Sequence, residues 1–165
     1  MSDLTKKIDK VKSFDKRVSL LALANPTPTG SELLECLNLA CEKAKYGEHF
    51  AQVAYLCEKL MGGDLELIQK CAAGATDHPQ QAGLVVRAFF ARNFATEGEK
   101  HWSALVASYK STDSYYAQIL AFGLLFKETQ AVAKAKIAEF LNSGPAAKEY
   151  ESLTVAPVPP HYNFV

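Results

Sequence analysis

Through most of this chain apolar residues recur at three- and four-residue steps, and only glycine, proline and short polar runs interrupt them. Leu4, Ile8, Val11, Phe14, Val18 and Leu21 set the pattern, and Phe50, Val53, Ala54, Cys57 and Leu60 repeat it. That is the period of a helix with one buried face, while the alternation of a half-buried strand is nearly absent. The spacing predicts an all-α fold.

The interruptions divide the pattern. Residues 3 to 24 read as one or two amphipathic helices, closed by the two prolines and the glycine of "NPTPTG". Thr29 followed by Glu32 has capping-box spacing and opens a helix that runs toward Gly47, which is also the whole connection to the next one, Glu48 to Met61. Gly62-Gly63 stops it, and Asp64 can cap a helix that ends at Gly74 and "TDHP". Pro79 suits the first turn of a helix reaching Ala95, and Thr96 with Glu99 repeats the capping-box spacing before a helix through Tyr109. After "STDS", residues Tyr115 to Asn142 are long enough to be divided at Thr129, and Gly144-Pro145 ends the helical region. "YYAQILAFGLLF", Tyr115 to Phe126, is apolar on nearly every face and reads as the central element of the core.

Helix starts at Ser31, Asp64 and Glu97 fall thirty-three residues apart, and each interval holds a helical hairpin. The second helices of the first and third hairpins carry "AQVAYL" and "AQILAF"; the middle one carries "AGLVVR", two residues out of register. The predicted architecture is therefore a solenoid-like stack of hairpins over residues 31–128, with an N-terminal capping helix that covers the first exposed face and an extended C-terminal tail. An irregular α-helical bundle is the alternative. Residues 1–151 form one domain in this reading and residues 152–165 a proline-rich tail.

In architecture alone, residues 31–128 resemble tetratricopeptide-like and related α-solenoid repeats. The Trp-Leu-Gly-Tyr series of a tetratricopeptide first helix is not met in "SELLECLNLACEKAKYG", and the single Trp102 lies in another unit, so no family's functional positions carry over.

A length of 165 residues fits one ordinary domain, and 48% hydrophobic with 22% charged residues is an ordinary globular balance. Eighteen basic and eighteen acidic side chains cancel, which removes the electrostatic footprint of a general nucleic-acid binder. The apolar runs are too short to span a bilayer. Cys36, Cys41, Cys57 and Cys71 show no Cys-x-x-Cys pair and no histidine spacing for zinc, so they read as buried thiols of a reduced, cytoplasmic chain; the functional alternative is a redox pair of Cys36 and Cys57. A competing address is "VSLLALA", Val18 to Ala24, which ends in the small-x-small form of a signal cleavage site. If residues 1–24 were a signal peptide the protein would be secreted or periplasmic, but Asp3, Asp9 and Asp15 interrupt the positive region such a peptide needs.

No local motif of catalysis is present: no glycine-rich phosphate loop, no Gly-x-Ser-x-Gly elbow, no His-Glu-x-x-His helix. Carboxylates neighbour His49, His78 and His101 in sequence, yet adjacent residues on a helix point about a hundred degrees apart. No catalytic residue, metal or cofactor is assigned. Arg87, Arg92 and Asn93 punctuate the apolar "LVVRAFFARNFA" and are the candidate partner-binding residues; the arginines either line a groove that grips a partner's carboxylate or carry their heads to solvent over apolar stems. Pro159, Pro160 and Tyr162 match the Pro-Pro-x-Tyr peptide that WW domains bind, against which stands a tail folded onto the protein's own surface. Six basic and three acidic residues within 1–17 suit a solvated cover for the stack or a weak contact with a membrane surface or an acidic partner. The expected function is a non-enzymatic protein-protein interaction module, adaptor, chaperone-like or regulatory, that uses a groove between hairpins. The alternative is a small all-α enzyme or ligand-binding protein with a site near His78 and His101.

Overall fold

Serines begin the chain's first two helices. Ser2 accepts the backbone N–H of Thr5 at 3.1 Å and opens α1 (Asp3–Lys10); Ser13 accepts that of Lys16 at 3.1 Å and opens α2 (Phe14–Ala22). The computed structural model describes residues 1–143, and the proline-rich tail with Pro159, Pro160 and Tyr162 lies outside them. Seven more helices follow: α3 (Gly30–Cys41), α4 (Gly47–Lys59), α5 (Leu65–Gly74), α6 (Pro79–Ala91), α7 (Ala95–Tyr109), α8 (Asp113–Gly123) and α9 (Gln130–Ser143). The described residues contain no strand, and none of their helices is long and apolar enough to cross a membrane.

Several boundaries fall where local chemistry puts them. Asp64 Oδ1 accepts the N–H of Leu67 at 2.9 Å, and Pro79 stands in the first turn of α6. Between α8 and α9, the hydroxyl of Thr129 donates to Gly123 O at 2.6 Å and so satisfies a carbonyl that the end of α8 leaves without a helical partner.

Three expectations are corrected. Thr29 precedes α3 but makes no side-chain cap, and Thr96 lies inside α7, whose cap position is Phe94. Gly47 is the first residue of α4 rather than a one-residue connection; the turn occupies residues 42–46. The hairpins begin at Gly30, Leu65 and Ala95, 35 and 30 residues apart, so the thirty-three-residue period is not kept.

Packing runs in two connected halves. One buried cluster gathers residues from α1 to α6, among them Ile8, Leu21, Leu37, Val53, Ile68 and Phe89. The other gathers α6 to α9 around Trp102, Ile119, Leu120 and Ile137. Helix α6 supplies both: Leu84, Val85, Ala88 and Phe89 face the first cluster, Ala82 and Val86 the second. It packs against α4, α5, α7 and α8. The ring of Phe122 on α8 lies so close over Gly83 of α6 that a Cβ there would overlap it, which is why the two helices can approach at that residue. The central element is thus α6; α8, although buried at Tyr116, Ala117 and Ile119 to Gly123, serves the second half.

Candidate functional site

Arg17 sets the geometry of the N-terminal end. Its side chain is almost fully buried, where a guanidinium is costly unless every donor is used. Nε donates to Val11 O at 2.6 Å, Nη1 to Leu39 O at 2.6 Å and Nη2 to Asp9 O at 2.9 Å. All three carbonyls belong to the ends of α1 and α3, where helices leave acceptors without partners. Glu42 approaches Nη1 at 3.4 Å and Asp9 approaches Nη2 at 3.9 Å. One side chain on α2 therefore fastens the C-terminal ends of two neighbouring helices. The basic composition of residues 1–17 suggests a solvated cover that includes Arg17; the single clue to its burial is its three- and four-residue spacing from the apolar Phe14 and Leu21.

Two hollows form a furrow beside α2. A hollow of about 670 Å³ is floored by Leu4, Val11, Leu20 and Leu23 and bordered by Lys7, Lys16 and Glu32. A second hollow, about 160 Å³, lies across Ser19 and Leu23 from the first, against Tyr55, Leu56, Lys59 and Leu60 of α4 and its end. Leu23 forms part of both walls and is 79% exposed, the highest among the large hydrophobic residues of the described chain. The floor is apolar; three of the four charges on the border are lysines.

Of the residues proposed from sequence, Arg87 and Asn93 make contacts within the chain. Arg87 forms a two-pronged ion pair with Glu58 of α4, Nη2 to Oε1 at 2.9 Å and Nε to Oε2 at 3.2 Å. This fork is already occupied by a carboxylate of the chain itself. The pair borders a shallow hollow of about 420 Å³ with Phe90, Ala91, Leu125 and Phe126, in which the rings of Phe90 and Phe126 stack at 4.2 Å. Arg92 occupies the cap position of α6, its Nε buried and without a hydrogen-bond partner among the described residues. Asn93 takes a left-handed φ of 66°, and the two hydrogen bonds Phe94 N–H to Phe89 O, 2.8 Å, and Asn93 N–H to Phe90 O, 3.2 Å, close the helix end around it.

His78 and His101 do not meet. His78 caps α6, accepting the N–H of Gln80 on Nδ1 at 3.2 Å, and its ring lies 5.1 Å from that of Tyr115. His101 packs on Phe89, ring centroids 5.6 Å apart, at the other end of the same helix. Eleven residues of helix separate the two anchor points, about 16 Å along the axis. Burial lowers the His101 pKa from 6.5 to about 4, and its Nε2 has no hydrogen-bond partner among the described residues. His49 is stacked on Phe14 at 4.2 Å and accepts the Lys45 N–H on Nδ1 at 3.1 Å, a packing role.

Cys36, Cys57 and Cys71 are buried, as the sequence predicts, and Cys41 is half-buried. Burial pushes Cys36 up to about 11, with Glu32 and Glu35 adding to it, and pushes Cys57 up to about 12. The Cys41 thiol, at the end of α3, is instead lowered, chiefly by the Cys71 thiol of α5, while Cys71 is pushed well above the ordinary thiol range by Cys41 and by burial. No group of three or more His, Cys, Asp or Glu side chains among the described residues is placed to hold a metal ion. No family model, no curated protein and no solved structure matches the chain.

Proposed function

We propose that this protein is a non-enzymatic helical interaction module, an adaptor or regulatory binder, that holds a segment of another protein in the furrow along α2. The observation that carries this reading is Leu23: a large apolar side chain 79% exposed, standing between two apolar hollows. Exposed apolar surface rimmed by polar side chains is the usual mark of a protein-binding site. The lysine-rich border at Lys7, Lys16 and Lys59 favours a segment whose apolar anchors are flanked by aspartate or glutamate. Arg87 is a weaker anchor for such a segment, because a partner's carboxylate would have to displace Glu58.

The arrangement of hairpins supports the same reading. The second helices α4, α6 and α8 lie side by side, α4 against α6 and α6 against α8, while α1 and α2 pack on α3. We read this as a solenoid-like stack whose N-terminal cover carries the binding furrow.

A photo-crosslinking residue at position 23 tests the proposal directly. In extract from the source cell it should give a discrete protein adduct, weakened by Lys16→Glu, whereas the same residue at exposed position 134 on α9 should not. Equal labelling at the two positions, or no protein adduct at 23, would overturn it.

A further inference from the structure

We infer that the furrow beside α2 takes residues 149–155 of a second copy of this chain, so that a partner segment must displace a self-contact in order to bind. This contact rests on the docking role proposed for the furrow, and it names what fills that surface when no partner is present. The border carries charge that the described chain does not neutralise: Lys7, Lys16 and Lys59 make no ion pair among the described residues. The floor offers apolar surface on both sides of Leu23, which is 79% exposed. An occupant of matching chemistry has apolar anchors a few residues apart with carboxylates beside them. Residues 149–155, "EYESLTV", supply that pattern: Glu149 and Glu151 flank Tyr150, and Leu153 and Val155 follow. The hollow at Arg87 is a poorer match for the same segment, because Glu58 already holds its guanidinium.

The segment meets a neighbour's furrow rather than its own. Helix α9 ends at Ser143, and from there to Tyr150 the chain spans at most about 25 Å. Three helices link α9 to the furrow: α9 packs on α8, α8 on α6, α6 on α4, and α4 borders α2 across the smaller hollow. Packed helix axes lie about 8–10 Å apart, so four such steps side by side cover about 32–40 Å. A second copy is under no such limit. The segment and the furrow are different surfaces, so the contact is head-to-tail and adds copies as concentration rises. Its charges lie at an exposed border, where salt screens them.

The test places a photo-crosslinking residue at position 23 of the full-length chain and uses purified protein at low salt, an equal mixture of natural and heavy-isotope copies. Links from position 23 should map to residues 149–155 by peptide mass, and heavy–light pairs should be as abundant as heavy–heavy and light–light pairs together. Reversing the charge of the segment, Glu149→Lys with Glu151→Lys, should lower the yield at least about fivefold. Mixing that variant with Lys16→Glu protein that carries the crosslinker should recover most of the loss, and Lys16 is exposed, so its replacement leaves the core untouched. No link between position 23 and residues 149–155, pairs that are all heavy–heavy or light–light, or a yield indifferent to charge reversal would each overturn the contact. A protein adduct at position 23 in cell extract without self-links in purified protein would overturn it too, and would leave the partner reading standing. Self-links without any partner adduct would do the reverse.

Discussion

Arg17 shows how one residue can be misread when only its charge is considered. A lysine at the same place would keep the charge but offers a single compact ammonium, which cannot reach three carbonyls on two helices as the flat guanidinium does. Arg17→Lys should therefore leave buried acceptors of α1 and α3 without donors. The expected cost is about 2–4 kcal/mol, read as a lower midpoint in urea unfolding. A loss under about 0.5 kcal/mol would mean that water replaces the missing bonds. His101 makes the corresponding test with pH. The unfolded chain takes up its proton near pH 6.5 and the folded one only near 4, so between these values the unfolded state binds more protons and stability falls as pH falls. Below pH 4 the loss approaches about 3 kcal/mol, and His101→Leu should flatten that part of the stability profile. An unchanged slope in the variant would assign the acid sensitivity to other groups.

At the scale of elements, the ends of α4 and α6 use the same device with different residues. Met61, φ 54°, and Asn93, φ 66°, each hold the left-handed position, and in each case the following N–H reaches back to the helix, Gly62 to Cys57 O at 3.0 Å and Phe94 to Phe89 O at 2.8 Å. Asparagine tolerates this conformation; methionine is strained in it. Met61→Gly should raise the melting temperature by about 2–4 °C, a gain of about 1 kcal/mol, since Met61 is exposed and loses little packing. Asn93→Gly should change it less, and the reverse order would show that the strain is not the controlling term. The same helix ends explain what could be read in advance. Asp64, Pro79 and Thr129 act through neighbours a few residues away, so the sequence discloses them. Phe94 closes α6 and opens α7 at once, its O accepting the Gly98 N–H at 2.8 Å, and no polar capping residue marks the place, so Thr96 with Glu99 suggests a start that does not occur. The furrow at Leu23 and the Arg17 clamp arise from helices brought together by folding, which local spacing does not encode.

For the whole molecule the question is whether two buried clusters make one cooperative unit. Helix α6 lends alternate residues, Val85 and Val86, to opposite sides, so neither cluster can lose its wall without exposing the other. Trp102 reports on this coupling, because it is buried in the second cluster with its Nε1 donating to Ile119 O at 2.8 Å. Leu37 is fully buried in the first cluster, on α3, and α3 makes its main contacts with α1, α2 and α4. Leu37→Ala removes about 2–5 kcal/mol of packing far from the indole. If α6 couples the halves, the Trp102 fluorescence midpoint in urea should fall with the helical signal at 222 nm, by the same amount and in a single transition. If instead fluorescence keeps its parental midpoint while the helical signal splits into two steps, the N-terminal half unfolds on its own, and the furrow along α2 belongs to a separately stable unit.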